Sequence, residues 1–264
     1  MMEYHYPDEN DGLTIKFLTE FEKSQQYWDQ SENTIIEIIR KQISTIRNEG
    51  VSKSFLDAGC GNGRLIPKFA DQFGQIVALE PDSERLNHTG EFIKSLGIDR
   101  KTSFCLSLAE EFKSEQKFDF ILNSHVIQHI HTGSVKPLLK NLADHLKDDG
   151  ILAITTCHST RKKEHYLKNY VQNGKPVRQE IDELTHNQLV NSEGALPIHF
   201  FMTDTLINML NELGLETVVF KVFHVDKPDR EKLQIKDIDT YVNATPQRQG
   251  KYGIDMCLVG RKLN

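Results

Sequence analysis

Short apolar runs alternate with amphipathic segments along most of this chain. Apolar residues recur near helical spacing between residues 31 and 48, and Gly50 follows as a stop. From residue 54 onward, short runs rich in apolar residues predict strands. Their sequences are SFLDAG, QIVALEPD, TSFCLSLA, FDFILNS and ILAITTC. Two stretches, IVALE and ILAITT, are almost continuously apolar, which is typical of strands buried on both faces of a parallel sheet.

The segments between these strands predict helices. GRLIPKFADQFG, SERLNHTGEFIKSLG and TGSVKPLLKNLADHLKDDG are amphipathic, and each ends at a glycine. Strands that alternate with helices predict an α/β domain with a doubly wound, mostly parallel sheet covered on both faces.

The pattern changes after Cys157. Residues 158–200 are polar and charged, and we expect them to form an insertion without a strand. The helix FMTDTLINMLNELG, the strand LETVVFKVFHV, a long polar connection and the strand YGIDMCLVGRK then complete the chain. Residues 1–50 therefore form a helical N-terminal segment, and residues 51–264 form one α/β domain. Inserted loops of this length are usually functional or disordered.

Composition excludes several classes of protein. The 264 residues carry a net charge of -6, which argues against general binding to nucleic acid. No apolar run reaches the roughly 20 residues that span a bilayer. The polar N-terminus is not a signal peptide, and the four cysteines form no CxxC pair. We therefore expect a cytoplasmic protein with reduced thiols. The insertion is locally basic, which would suit an acidic acceptor or RNA phosphate, but a charge run of this kind is usually a solvated face.

The segment LDAGCGNGR raises the first chemical question, because it places three glycines in five residues directly after a strand. A phosphate loop requires Lys-Ser/Thr after its last glycine, whereas Gly63 is followed by Arg64 and Leu65. A dinucleotide fingerprint requires GxGxxG spacing, which is also missing. The remaining interpretations are a tight turn without a ligand and a loop that binds S-adenosylmethionine. In the latter, Asp57 at the strand end faces the ammonium group of the ligand.

A second acidic residue supports the interpretation that the glycine loop binds a ligand. Glu80 ends the next strand, 19 positions after Gly61. An acid about 20 residues past a glycine-rich turn is placed to accept hydrogen bonds from both hydroxyls of a ribose. A solvated glutamate at a strand end is the alternative, and the glycine loop makes it the weaker one.

Together these motifs resemble the class I S-adenosylmethionine-dependent methyltransferases, the broad group that includes ubiquinone/menaquinone-type and type 11/12/25 domains. The resemblance covers roughly residues 54–156. It rests on the order and spacing of five motifs, which are FLDAGCGNGR, ALEPD, SLAEEF, FDFILNSHVIQHI and LKDDGILAIT. The family implies a Rossmann-like, seven-stranded sheet in which the last strand is antiparallel and lies beside the fifth.

The resemblance also implies which residues bind the cofactor. Asp57, Gly59, Cys60 and Gly61 would hold the methionine tail, and Glu80 would hold the ribose. The other positions carried over, which flank the adenosine or line the path to the acceptor, are Pro81, Asp82, Leu108, Ala109, Glu110, Asn123 and Ser124. The third motif of the family often has Asp where this chain has Leu108, so recognition of the adenine would fall to the backbone N–H of Ala109 or to Glu110.

Several side chains are candidates for the acceptor side. His125, His129 and His199 could remove a proton from the acceptor or orient it. No metal is expected at the histidines of SHVIQHIH, because no Asp, Glu or Cys is spaced with them. Four N-terminal aromatic residues could form a lid over the acceptor or pack on the core as part of a helix, namely Tyr4, Tyr6, Tyr27 and Trp28.

The acceptor is the least determined part of the prediction. The sequence NSHV lacks the Pro-Pro-aromatic loop that holds a flipped base, which disfavours methylation of exocyclic amines in DNA. A small molecule is the leading acceptor, followed by a protein and then by a tRNA base. A binding module without catalytic activity and a nicotinamide oxidoreductase remain the alternatives from other classes.

Overall fold

The computed structural model describes residues 25–47, 52–225 and 253–263. Its helices are α1 (Gln25–Ser44), α2 (Ile66–Phe69), α3 (Ser83–Ser95), α4 (Val135–Asp144), α5 (Glu183–Leu189) and α6 (Thr203–Glu212). Its strands are β1 (Ser54–Ala58), β2 (Gln75–Glu80), β3 (Thr102–Leu106), β4 (Phe118–Ser124), β5 (Leu146–Cys157), β6 (His165–Gln172), β7 (Lys175–Ile181), β8 (Ala195–Phe200), β9 (Leu215–Val225) and β10 (Gly253–Lys262).

Seven strands form the main sheet in the order β3-β2-β1-β4-β5-β10-β9. The first five strands pair in parallel, while β10 is antiparallel to both β5 and β9. The predicted doubly wound sheet with an antiparallel last strand beside the fifth is therefore confirmed. The strand order reverses between β1 and β4, and ligands of open α/β sheets bind at such a point, above the carboxyl ends of the strands.

Apolar layers cover both faces of this sheet. On one face, the aromatic rings of Phe55, Phe73 and Phe120 stack, with centroids 4.9 to 5.7 Å apart, and the buried isoleucines of α1 pack beside them. On the other face, α4 and α6 bury leucines such as Leu139 and Leu206. Because α1 contributes to the core, the helical N-terminal segment is part of the packed fold within the described residues.

The expectation of a strandless insertion is wrong. Strands β6, β7 and β8 form a separate antiparallel sheet in the order β7-β6-β8. A tight turn joins β6 to β7, and its residues Asn173 and Gly174 have positive φ values of 51° and 76°. Asn-Gly with both residues left-handed is the preferred two-residue hairpin turn, so the dipeptide was a local signal for this sheet.

Other element boundaries differ from the sequence pattern. The helix predicted in GRLIPKFADQFG is one turn, α2, followed by a 3₁₀ turn over Ala70–Gln72. Strand β5 begins at Leu146, so Gly150 lies inside this strand instead of ending α4. These differences leave the strand ends that form the site unchanged.

Some expectations fall outside the described residues. Tyr4, Tyr6 and the polar connection of residues 226–251 are among them. Tyr27 and Trp28 lie in α1, but their side chains are outside the description. None of the helices within the described ranges is long and apolar enough to cross a membrane.

Candidate functional site

The glycine loop joins β1 to α2 at the carboxyl edge of the sheet. Gly59, Gly61 and Gly63 all have positive φ values, of 85°, 55° and 78°. A Cβ atom on Gly59 would lie 2.3 Å from Cγ2 of Val126, and one on Gly61 would lie 2.5 Å from a guanidinium nitrogen of Arg85. A side chain is therefore excluded by backbone conformation and by space at Gly59, whereas at Gly61 the backbone conformation is the main obstacle because the Arg85 guanidinium can move.

Two acidic side chains lie beside this loop, Asp57 near the end of β1 and Glu80 at the end of β2. Glu80 is 4% exposed, and its two carboxylate oxygens accept hydrogen bonds from the backbone N–H groups of Gly61, at 2.9 Å, and Asp82, at 3.3 Å. Asp82 caps α3 by accepting from the backbone N–H groups of Glu84 and Arg85. These bonds hold Glu80 rigidly beside the glycine loop.

Asp57 is the most perturbed acid of the site. It is 2% exposed, and its Oδ2 atom has no hydrogen-bond partner among the described residues. Burial and, to a smaller extent, the nearby charge of Glu80 raise the pKa of Asp57 to about 7, although Arg64 opposes the rise. A buried carboxylate with a bare oxygen is suited to a cationic partner.

The other residues predicted for the cofactor lie around the same edge. Asn123 is fully buried, its Nδ2 donates to the carbonyl of Ala58 at 2.8 Å, and its Oδ1 has no partner among the described residues. Ala109 is also buried, and its carbonyl accepts from Nδ2 of Asn141. Burial raises the pKa of the Cys60 thiol, and its part in holding the methionine tail stays a prediction. Ser124 bonds to Thr155 through the hydroxyl oxygens at 2.7 Å.

The three predicted histidines are all hydrogen-bonded to one residue, Gln128. Its Oε1 accepts from the backbone N–H of Cys157 at 2.9 Å, which fixes the orientation of the amide. His125 therefore donates through Nδ1 to the same oxygen, at 3.2 Å. The backbone N–H of His199 donates to the carbonyl of Gln128 at 2.8 Å. Gln128 thus joins the loop after β4 to the ends of β5 and β8.

His129 uses both ring nitrogens in this network. Its Nδ1 donates to the carbonyl of Pro197 at 2.7 Å, and its Nε2 accepts from the amide of Gln128 at 3.1 Å. Burial lowers the pKa of His129 to about 4, although the bond to Pro197 opposes this shift. The catalytic role of His129 stays a prediction, and its bonds favour a neutral imidazole that positions Gln128.

His199 lies on β8, away from the glycine loop. Its Nε2 bonds to a carboxylate oxygen of Glu164 at 2.8 Å, and its ring stacks on those of Tyr166 and Phe201. Its role as a proton acceptor also stays a prediction. His125 differs from both, because it directly follows β4 and adopts a positive φ of 55°. Such strained non-glycine residues are concentrated at functional sites.

Sequence reasoning missed a second group of polar residues beside His125. Asp255 of β10 pairs in register with Cys157 of β5, and both lie at the same edge as the glycine loop. Nδ1 of His224, on β9, bonds to Oδ2 of Asp255 at 2.5 Å, and both residues are buried. The available signal was a polar residue near the end of each of two apolar strands, FKVFHV and GIDMCLVG.

A salt bridge connects α1 to the glycine loop. Arg64 binds both carboxylate oxygens of Glu32, at 2.6 and 2.7 Å. Burial would raise the pKa of Glu32, but the bond to Arg64 and the charges of Arg64, His125 and His224 outweigh it, so that the pKa is lowered. Glu32 of helix α1 therefore lies close to Arg64 of the glycine loop and interacts electrostatically with His125 and His224.

Comparison with known proteins points to one family. Residues 27–219 match the model of a family described as a methyltransferase domain. A protein of Rickettsia canadensis named ubiquinone biosynthesis O-methyltransferase is 28% identical over 217 residues, which are 77% of this chain and 87% of that protein.

Two solved structures share the fold. An S-adenosylmethionine-dependent methyltransferase from Clostridium acetobutylicum has a TM-score of 0.60 at 14% identity, with 95% of this chain and 99% of that chain covered. A Burkholderia thailandensis N1-methyltransferase, solved with 1,6-didemethyltoxoflavin and S-adenosylhomocysteine, has a TM-score of 0.54 at 15% identity, with 98% and 92% covered.

Proposed function

Because this chain belongs to the family of methyltransferase domains, which it matches over residues 27–219, we propose that it methylates a hydroxyl oxygen of a small aromatic molecule. The predicted family, the methyltransferase class and S-adenosylmethionine as the donor are confirmed. A small molecule is the acceptor class. The hydroxyl and the aromatic ring are the parts that we propose.

The residues at the glycine loop fit the donor at both of its polar ends. S-Adenosylmethionine, when bound, supplies a methyl group already activated on a sulfonium sulfur. The partnerless Oδ2 of Asp57 would accept from the ammonium group of its methionine tail. Each carboxylate oxygen of Glu80 accepts a hydrogen bond from one backbone N–H group, and the remaining lone pairs would accept from the ribose hydroxyls. The roles of Pro81, Leu108, Ala109, Glu110 and Ser124 remain as the resemblance implies.

The polar residues beyond Asn123 carry the proposal of a hydroxyl acceptor. A hydroxyl reacts well only when a neighbouring group orients it and accepts its proton. Four side chains converge just past the end of β4, namely His125, Cys157, Asp255 and His224. Asn123, near the end of the same strand, donates to the carbonyl of Ala58 directly before the glycine loop. The name of the Rickettsia relative, which specifies O-methylation in ubiquinone biosynthesis, supports an oxygen on a quinone-like ring.

The elements around this group would shape the acceptor site. We assign to α1 and to the small sheet of β6, β7 and β8 the role of walls, because both contact the residues around His125. Glu32 interacts electrostatically with His125, and β8 bonds through His199 to Gln128. Walls that exclude water favour transfer of the methyl group to the acceptor.

Transfer of labelled methyl groups tests this proposal. We expect the protein to move the label from S-adenosylmethionine onto oxygen of small aromatic compounds with adjacent hydroxyl groups. Replacing His125 with glutamine (H125Q) should lower kcat at least about tenfold, because the acceptor loses an orienting group. The exposed His131 of the same loop provides the matched control, and H131Q should leave kcat unchanged.

Two results would contradict the proposal. Label found only on nitrogen, on protein or on tRNA would identify another acceptor. Equal activity of H125Q and wild type would remove His125 from the acceptor site. Mass spectrometry of the products distinguishes methylation on oxygen from methylation on nitrogen.

We also keep the cytoplasm as the proposed location. All cysteines within the described residues lack disulfides, which is typical of a reducing compartment.

A further inference from the structure

Three potential metal ligands of different chemistry converge at the acceptor edge. One ring nitrogen of His125, the sulfur of Cys157 and a carboxylate oxygen of Asp255 all lie within 4.8 Å of one another. We call these residues the three-donor cluster. They are far apart in the sequence, and the loop after β4 and the paired strands β5 and β10 bring them together.

The sheet fixes these positions. Asp255 and Cys157 are register partners of adjacent strands, and the backbone N–H of His125 donates to the carbonyl of Thr155 on β5 at 2.8 Å. Two donors of a tetrahedral zinc ion lie about 3.4–3.6 Å apart, since zinc lies about 2.1 Å from nitrogen or oxygen and about 2.3 Å from sulfur. Side-chain movements of about 1 Å would therefore close the cluster around one ion.

Neighbouring residues orient two of the donors. Because His125 donates through Nδ1 to Oε1 of Gln128, its Nε2 carries the free lone pair that a metal requires. Nδ1 of His224 bonds to Oδ2 of Asp255, and the carboxylate also has a hydrogen bond with the Cys157 thiol, which would be replaced when thiolate and carboxylate share an ion. Ligand side chains that are held by such outer hydrogen bonds are characteristic of metal sites in proteins.

We propose that the three-donor cluster of His125, Cys157 and Asp255 binds a divalent metal ion, zinc by its mixture of nitrogen, sulfur and oxygen donors. Three protein ligands leave one tetrahedral position open, as in catalytic zinc sites. When the ion binds, the Cys157 thiol loses its proton to solvent and the thiolate sulfur becomes a ligand. The Asp255 carboxylate and the Cys157 thiolate would together offset the charge of the ion, while Arg178 adds a positive charge near Cys157.

The open position indicates what the ion would do. The cluster lies at the edge where, if the proposed function holds, the acceptor hydroxyl would bind. A metal-bound hydroxyl loses its proton far more easily than a free one, so the ion would present an oxygen anion to the methyl donor. This part of the inference rests on the proposed function, whereas binding of the ion does not.

Cobalt(II) provides a direct test, because its bonds to thiolate sulfur give a charge-transfer absorption that nitrogen and oxygen ligands do not produce. The full chain, freed of metals with a chelator, is titrated with cobalt chloride. We expect one equivalent to bind with this absorption and with visible bands of a tetrahedral ion, and zinc to displace it. C157S should lose the charge-transfer band, and H125Q and D255N should bind cobalt at least about tenfold more weakly. C105S, which alters a cysteine on the edge strand β3, should behave as wild type.

Binding of S-adenosylhomocysteine, measured in parallel, shows that each variant is folded and separates the two proposals. Wild-type protein that binds this ligand but gives no cobalt band would overturn the metal site and leave the proposed function intact. A charge-transfer band that persists in C157S would also overturn it. Cobalt binding without label transfer to any hydroxyl compound would support the site and contradict the proposed acceptor.

Discussion

Replacing Asp57 with asparagine (D57N) is expected to stabilise the ligand-free protein and to abolish tight binding of the donor. Folding raises the pKa of Asp57 from 3.8 to about 7, so the folded chain holds a proton that the unfolded chain has already lost. Stability is therefore lost as the pH rises from 3.8 through 7, by an amount on the order of 2–4 kcal/mol. Asparagine carries no charge and avoids this cost, but it cannot pair with an ammonium group.

Chemical denaturation at pH 8 measures the first effect, and calorimetric titration with S-adenosylhomocysteine measures the second. We expect the free energy of unfolding of D57N to rise and its affinity to fall at least about 100-fold, as for loss of a buried charged partner. The matched control is D71N, at an exposed carboxylate that binds both nitrogens of Arg40 at 2.7 and 2.8 Å. It should leave affinity unchanged and should not raise stability. Lower stability of D57N than of wild type at pH 8 would contradict our account of this site.

Replacing Gly59 with alanine (G59A) is the second change for which we expect a large effect. The new Cβ atom would lie 2.3 Å from Val126 at a backbone φ of 85°. Left-handed backbone costs a residue with a Cβ atom about 1–2 kcal/mol, and the clash adds about 1–3 kcal/mol. Because Val126 follows His125, relief of the clash would displace the loop that carries this histidine. Both donor binding and methyl transfer should be lost.

A second glycine separates these two contributions. Gly97 has a similar φ of 70°, but none of the described atoms lies within 4 Å of the position that its Cβ atom would take. G97A should therefore lower the free energy of unfolding by the backbone cost alone, with donor affinity unchanged. The double variant G59A/V126A removes the nearest clashing atoms. It should recover the part of the loss in unfolding free energy by which G59A exceeds G97A. Failure of this recovery would show that Val126 does not limit the loop.

The parallel strands and the glycine loop could be predicted because their signals are local, whereas the place of the antiparallel last strand was implied by the family resemblance. The run from Ser54 to Gly63 contains a buried strand, its terminal acid and the glycines within ten positions. The structure keeps these in the predicted order, and Glu80 reaches Gly61 by a direct hydrogen bond. Such features depend on one strand and one turn, so periodicity and spacing are sufficient.

The acceptor side could not be predicted in the same way. Asp255 lies on β10, which inserts antiparallel beside β5, and His224 lies on β9, which pairs with β10, so no local spacing relates them to His125. The small sheet was missed for a different reason. Strand β7 carries Lys175, Arg178 and Glu180 and much of it is exposed, so this composition hides its strand pattern.

The most direct measurement is calorimetric titration of the purified chain with S-adenosylhomocysteine at pH 8 and pH 6. We expect binding at one site, no competition from NADH, and an affinity about tenfold weaker at pH 6, where Asp57 is mostly protonated. The same pH dependence should be absent in D57N. A folded protein that gives no binding heat at millimolar ligand, or that binds NADH at the same site, would contradict the assignment of the glycine loop, Asp57 and Glu80 to the methyl donor.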